Sequence, residues 1–262
     1  MSAMPTNHRA ILCFDFDGTF VNREPHAEAM ESMLAMLEDL RSGGSAWVIN
    51  TGRSLHQTLE GLTQHGIRQT PDFIVAREGE IFQPGPYKRW IDVGHWNTKR
   101  HEDHRKLYKS SAKFLNEIRL WLQRNTGASF ISEASEPAGI VSSTEEEMAR
   151  ICAWLDPLLE EHPELDYQRN SIYLRFTHHH YSKGTALLHL GKVLNITPEH
   201  TFVAGDNHND LSMLALEVAH QLACPSNSLP IVKDAILSQQ GFVASQPATQ
   251  GCVEALSHYF YD

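Results

Sequence analysis

At 262 residues and 41% hydrophobic composition, the chain is long enough to bury a sizeable core and exceeds the usual size of one domain, so a main domain with an insert is expected. Its net charge of −10, from 22 Lys plus Arg against 32 Asp plus Glu, argues against nucleic acid as a partner. No run of 18 apolar residues occurs, which excludes a helical membrane span, and residues 1–9 carry no apolar signal core, so no secretion is expected. Cys13, Cys152, Cys224 and Cys252 are scattered without a C-x-x-C pair and read as reduced thiols of a cytoplasmic protein.

The first element is an apolar strand, Ala10-Ile11-Leu12-Cys13-Phe14, which runs into Asp15-Phe16-Asp17-Gly18-Thr19. Strand side chains alternate, so Asp15 and Asp17 are expected to point the same way at the strand's end. Two close carboxylates repel unless a cation or shared proton relieves them, and hard oxygen donors suit Mg²⁺. Met30, Met33, Leu34, Leu37 and Leu40 then fall at helical spacing, with Gly43-Gly44 as the stop. Ala46-Trp47-Val48-Ile49 predicts a strand that leads to Thr51-Gly52-Arg53-Ser54, with Ser54 capping a helix through Leu62. A further strand, Phe73 to Ala76, completes a strand–helix–strand–helix–strand order, which implies right-handed crossovers and a parallel sheet.

Between about residues 80 and 180 the pattern changes. Leu107, Phe114, Leu115, Ile118 and Leu122 predict one amphipathic helix. Short strands follow at Ala128 to Ile131 and Gly139 to Ser142, separated by a turn at Glu136-Pro137. Thr144 with Glu147 reads as a capping box for a second helix through Leu159. Strands near Leu165 to Gln168 and Ile172 to Phe176 end the segment. The order predicts a small antiparallel sheet with helices on one face. The domain expectation is therefore a core of residues 1–82 with 181–262, and an insert of residues 83–180. His178-His179-His180 closes the insert, where strand alternation is expected to point adjacent rings apart and disfavour a metal site.

The parallel pattern resumes with Lys183-Gly184 before a helix carrying Leu187, Leu190 and Leu194. A strand, Thr201 to Ala204, runs into Gly205-Asp206-Asn207-His208-Asn209-Asp210. Met213-Leu214 is expected to begin a helix, Val218-Ala219 a strand, and Val253 to Phe260 a terminal helix. Three polar clusters thus sit at the C-terminal ends of parallel strands, the edge where open α/β sheets bind ligands.

Asp15-Phe16-Asp17-Gly18-Thr19, Asn50-Thr51-Gly52-Arg53, Ser182-Lys183-Gly184 and Gly205-Asp206 with Asn209-Asp210 together resemble the four motifs of the haloacid dehalogenase superfamily. The insert's αββαββ order resembles the type IIB cap of the Cof-like branch, which includes sucrose-phosphate phosphatases. The resemblance implies a Rossmann-like parallel core with an α+β cap that closes over its substrate. It further implies Asp15 as a nucleophile forming an aspartyl-phosphate, and Asp17 as general acid and base. Mg²⁺ would be held by Asp15, Asp17 through its carbonyl, and Asp206, with Asp210 behind them. Phosphoryl oxygens would be bound by Thr51, the Gly52 amide, Lys183 and Asn209. Glu78-Gly79 stands where many Cof-like relatives carry Asn-Gly. The expected function is Mg²⁺-dependent hydrolysis of a small phosphorylated metabolite, foremost a sugar phosphate, by a monomer or weak homo-oligomer. Two readings stay open beside it: a phosphomannomutase-like phosphomutase, and a non-catalytic binding module on the same scaffold.

Overall fold

Residues 8–22, 24, 26–131 and 138–261 are described by the structure, a computed structural model. The turn expected at Glu136-Pro137 and residues 1–7 lie outside them. β1 (Ala10–Phe14), α1 (Ala27–Ser42), β2 (Ser45–Asn50), α2 (Leu55–Gln64) and β3 (Phe73–Ala76) follow the predicted order closely. Ser54 caps α2 through a reciprocal capping box with Gln57. After β3 come β4 (Glu80–Pro84) and β5 (Trp90–Asp92), two antiparallel strands that extend the same sheet.

The chain divides into two units, Met1–Asn97 with Ser182–Asp262, and Thr98–Tyr181. A boundary after residue 82 would cut the hairpin of β4 and β5, whose ladder bonds tie it to β3; the larger unit runs on to Asn97. Pro84, Gly85 and Pro86 interrupt that hairpin, which is why its strands gave no alternation long enough to read.

In the smaller unit, the expected single helix is two, α3 (Trp96–Ser110) and α4 (Ala112–Asn125), broken at Ser111. Leu107 lies on the first and Leu115, Ile118 and Leu122 on the second, and all four are buried in one cluster. β6 (Ser129–Ile131), β7 (Gly139–Val141), α5 (Glu145–Leu159), β8 (Leu165–Asn170) and β9 (Tyr173–His178) complete the unit as a four-stranded antiparallel sheet in the order β6-β7-β9-β8. Only half of the capping box at α5 forms. Thr144 Oγ1 accepts from the Glu147 amide, whereas the Glu147 carboxylate accepts from the amides of Gly127 and Ser143.

The larger unit continues with α6 (Lys183–Leu194), β10 (Thr201–Ala204), β11 (Gln221–Cys224), α7 (Pro230–Ser238), β12 (Phe242–Val243) and α8 (Ala248–Phe260). No helix begins at Met213. A 3₁₀ turn at His208–Asp210 leads into further turns, and Val218-Ala219 lies among them rather than in a strand. The Asp210 carboxylate already bonds the amides of Asp206 and Asn207, so the backbone there is held in a loop.

The eight-stranded sheet has the order β12-β11-β10-β1-β2-β3-β4-β5, parallel from β12 to β3. The chain winds outward from β1 through β2 and β3, and from β10 through β11 and β12 in the other direction, so the order switches between β1 and β10. Alternation along β1 builds a core on each face. Ile11 and Cys13 pack with Leu187 and Leu190 of α6, while Leu12 and Phe14 pack with Met33 and Leu37 of α1 and Leu256 of α8. Among the described residues, no helix is long and apolar enough to cross a membrane.

Candidate active site

Phe14 of β1 stands in register with Ala204 of β10 and Ile49 of β2. The residues that leave these three strands therefore emerge side by side: Asp15, Thr51-Gly52 and Asp206. Each turns for a local reason. Gly18 adopts φ +81°, and a Cβ there would lie 2.9 Å from Asp206 Oδ2, so only glycine lets the first loop pass this close. Thr51 is tied back by its amide to Val75 O at 2.8 Å, and its Oγ1 accepts from the Arg53 amide.

Lys183 joins the loops. Its side chain is fully buried, and Nζ donates to Asp15 Oδ1 at 2.5 Å and to Asp210 Oδ1 at 2.6 Å. It begins α6 just after the Ser182 cap, with its carbonyl accepting from Asn50 Nδ2. Gly184 allows that start, since a Cβ there would collide with the backbone carbonyl of Ser212. Burial pulls the Lys183 ammonium down, but Asp15 and Asp210 outweigh it and hold the group above its usual range, hence charged.

Three carboxylates, those of Asp15, Asp206 and Asp210, bring one oxygen each within 4.8 Å of one another. A single ammonium faces them. Burial pushes the Asp15 carboxyl well up, opposed by Lys183 and reinforced by Asp210 and Asp206. Burial, then the charge of Asp210, pushes Asp206 up to about 7, although Thr19 Oγ1 donates to its Oδ1 at 2.8 Å. Such crowding of hard oxygens, beside a glycine whose missing Cβ leaves space, fits a hard divalent cation.

Asp17 departs from its expected place. β1 ends at Phe14, so period-two alternation does not carry on to residue 17. Its carboxylate is half exposed, and both oxygens accept from Arg53, at 2.6 and 2.7 Å, rather than facing Lys183 with Asp15. Its side chain is also absent from the carboxylate trio, where Asp210 stands instead.

Asn209 is buried, and its amide donates to Glu78 Oε1 at 2.8 Å, while its own Oδ1 has no hydrogen-bond partner among the described residues. Glu78 is itself buried and stands beside Gly52, where a Cβ would be 3.3 Å from Oε1. Arg77 and Glu78 both have left-handed backbones, φ 48° and 61°, a conformation costly for non-glycine residues and concentrated at functional loops. The pairings Asp17–Arg53, Asp206–Thr19 and Asn209–Glu78 were not readable from the sequence. Their partners lie 36, 187 and 131 positions apart, and no local periodicity links them.

The fold has counterparts among solved structures. The sucrose-phosphatase of Synechocystis sp. PCC6803, solved with sucrose and phosphate, is 20% identical and superposes with a TM-score of 0.73, over 96% of this chain and 98% of that one. A haloacid dehalogenase-like hydrolase of Bacillus subtilis gives 16% identity and a TM-score of 0.67, over 97% and 93%. A subclass IIB sugar phosphatase of the same superfamily gives 17% and 0.61, over 95% and 98%. These likenesses establish the fold. No curated protein sequence matches the chain. Residues 8–260 match the family model described as sucrose-6F-phosphate phosphohydrolase, so the chain belongs to that family of haloacid dehalogenase phosphatases.

Proposed function

We propose that the protein hydrolyses a small phosphorylated sugar, with Mg²⁺ and through an aspartyl-phosphate on Asp15. The observation that carries this reading is the buried contact of Lys183 Nζ with Asp15 Oδ1 at the end of β1, beside the acids of the β10 loop. A phosphoryl group brings negative charge to a carboxylate nucleophile, and that encounter requires neutralisation. Lys183 supplies one positive charge. Asp15 and Asp206, with the Asp17 carbonyl, would hold Mg²⁺, and Asp210 would orient Lys183 and the β10 loop. When bound, the ion supplies charge neutralisation and a fixed orientation for the phosphoryl oxygens.

Asp15 attacks phosphorus and the sugar oxygen leaves, taking a proton from Asp17. Asp17 then removes a proton from the water that attacks the aspartyl-phosphate, releasing inorganic phosphate and restoring Asp15. With both Asp17 oxygens on Arg53, one must let go before that proton can move. Thr51 and the Gly52 amide, at the end of β2, bind phosphoryl oxygens. Asn209 joins them by its position near Gly52, although its amide is shared with Glu78. The four cysteines are buried and unpaired, in keeping with a cytoplasmic setting.

Release of phosphate from a panel of phosphorylated sugars, headed by sucrose phosphate, with and without Mg²⁺, tests the reading. A blank across the panel and with p-nitrophenyl phosphate would refute it. Phosphate release that survives chelation unchanged would remove the metal from it.

Two further outcomes follow from the site's electrostatics. Protons and Mg²⁺ compete for Asp206, whose carboxyl is pushed up to about 7. Asp15, the other carboxylate ligand, is pushed well up as well, so apparent Mg²⁺ affinity should weaken as pH falls below about 7, by about tenfold per unit for each carboxylate that takes a proton. Equilibrium dialysis across this range checks the sign; a flat affinity contradicts it. Glu78→Gln keeps an oxygen for Asn209 and removes a negative charge beside Gly52. The KM for the phosphorylated substrate should fall about three- to tenfold with kcat little changed. An unchanged or higher KM in steady-state assays would show that this charge does not oppose substrate.

A further inference from the structure

In the smaller unit, three imidazoles gather at the end of β9. The strand stops at His178 and a turn passes through His179 and His180, so the alternation that separates neighbouring strand side chains ends there. This overturns the expectation that adjacent rings would point apart. The His178 ring centroid lies 4.9 Å from that of His179 and 5.0 Å from that of His180, and those two are 3.9 Å apart. One ring nitrogen from each lies within 4.8 Å of the others. Zinc binds imidazole nitrogen at about 2.0–2.1 Å, so two such ligands in a tetrahedron stand roughly 3.3 Å apart. The remaining closure is a rotamer adjustment, and His179 and His180 are exposed side chains able to make it.

The base of the cluster is already fixed. His178 is buried, and its Nδ1 accepts the His180 amide at 3.2 Å, which holds the ring against the turn; that lone pair reaches an ion only as the amide lets go. The turn is held by the Tyr181 amide on His178 O and the His179 amide on Glu164 O. Burial, then the neighbouring His179 and His180, hold the His178 imidazole below its usual range, with Asp103 and Glu164 opposing them, so the ring is neutral as a ligand must be.

We propose that His178, His179 and His180 form a site for a transition-metal ion of the zinc class, distinct from the carboxylate cluster of the core. Donor chemistry separates the two: nitrogen ligands select zinc-like ions, and oxygen ligands select magnesium.

Equilibrium dialysis of the Mg²⁺-saturated full-length protein against Zn²⁺ should give a single bound ion per chain. His179→Gln/His180→Gln should bind it at least about tenfold more weakly, since even lost outer-shell partners cost that much. Co²⁺ in place of Zn²⁺ should give a visible d–d absorption band that the double variant lacks and Asp206→Asn retains. Absence of bound Zn²⁺, equal binding by the double variant, or loss of the band in Asp206→Asn would each overturn the proposal. The metal-free double variant should unfold at the wild-type temperature, because both replaced side chains are exposed.

Discussion

Asp15→Asn is expected to fold normally and to lose phosphatase activity by about 10³-fold or more, as removal of a covalent nucleophile does. The substitution is nearly isosteric, and its amide oxygen can still accept from Lys183 Nζ, which lies 2.5 Å from Oδ1 in the native site. It also removes one of three crowded acids whose mutual repulsion burial intensifies. Lys183 loses the Asp15 charge but keeps that of Asp210, and the relief of repulsion among the acids offsets the lost pair, so the larger loss falls on the chemistry. Retention of more than about a tenth of the wild-type rate would exclude Asp15 as nucleophile. Rapid quenching with labelled substrate gives a second readout: wild type should carry a hydroxylamine-sensitive acyl phosphate and Asp15→Asn none. Asp17→Asn should slow release of that label, because the residue proposed to activate water is gone while the nucleophile remains.

Lys183→Met should cost both activity and stability. The Lys183 side chain is fully buried between Asp15 and Asp210, and the Asp210 side chain is fully buried too. Removing one partner of a buried ion pair leaves uncompensated charge, typically at a cost of about 3–5 kcal/mol. Urea unfolding in the presence of a chelator measures this without a bound cation masking it. A loss below about 1 kcal/mol would mean that the acids are already neutral or hydrated. Lys183→Met/Asp210→Asn should recover part of the stability and none of the activity, because the positive charge facing the nucleophile is still absent. Recovery of activity would contradict the role given to Lys183.

Much of this was legible before any coordinates. The apolar runs at Ala10 to Phe14, Ala46 to Ile49, Phe73 to Ala76 and Thr201 to Ala204 form strands that are buried from Ile11 onward in the first and throughout in the others, and their continuous hydrophobicity follows from helices covering both faces. Helices α1 and α6 were readable from leucine and methionine spacing. The segments misread are those where local signals conflict. Met213-Leu214 and Val218-Ala219 are apolar because they pack in the core, yet their backbone is held in turns, with the Met213 and Leu214 amides on the Asp210 carbonyl and those of Val218 and Ala219 on the Ala215 carbonyl. β12 is two residues long and β5 three, too short for any periodicity to declare itself.

The sequence by itself determined the parallel core, the inserted segment and the acids at the strand ends, because periodicity and turn chemistry act over a few residues and leave a local trace. Tertiary structure alone decided how those acids differ. It buried Asp15 against Lys183, turned Asp17 out to Arg53, and gathered Asp206 and Asp210 beside Asp15. It also set Glu78 against Asn209 and folded three histidines into one turn. These pairings join side chains that the chain brings together only when the sheet forms, and burial then sets the strength of each charge's interactions. Sequence spacing carries neither quantity.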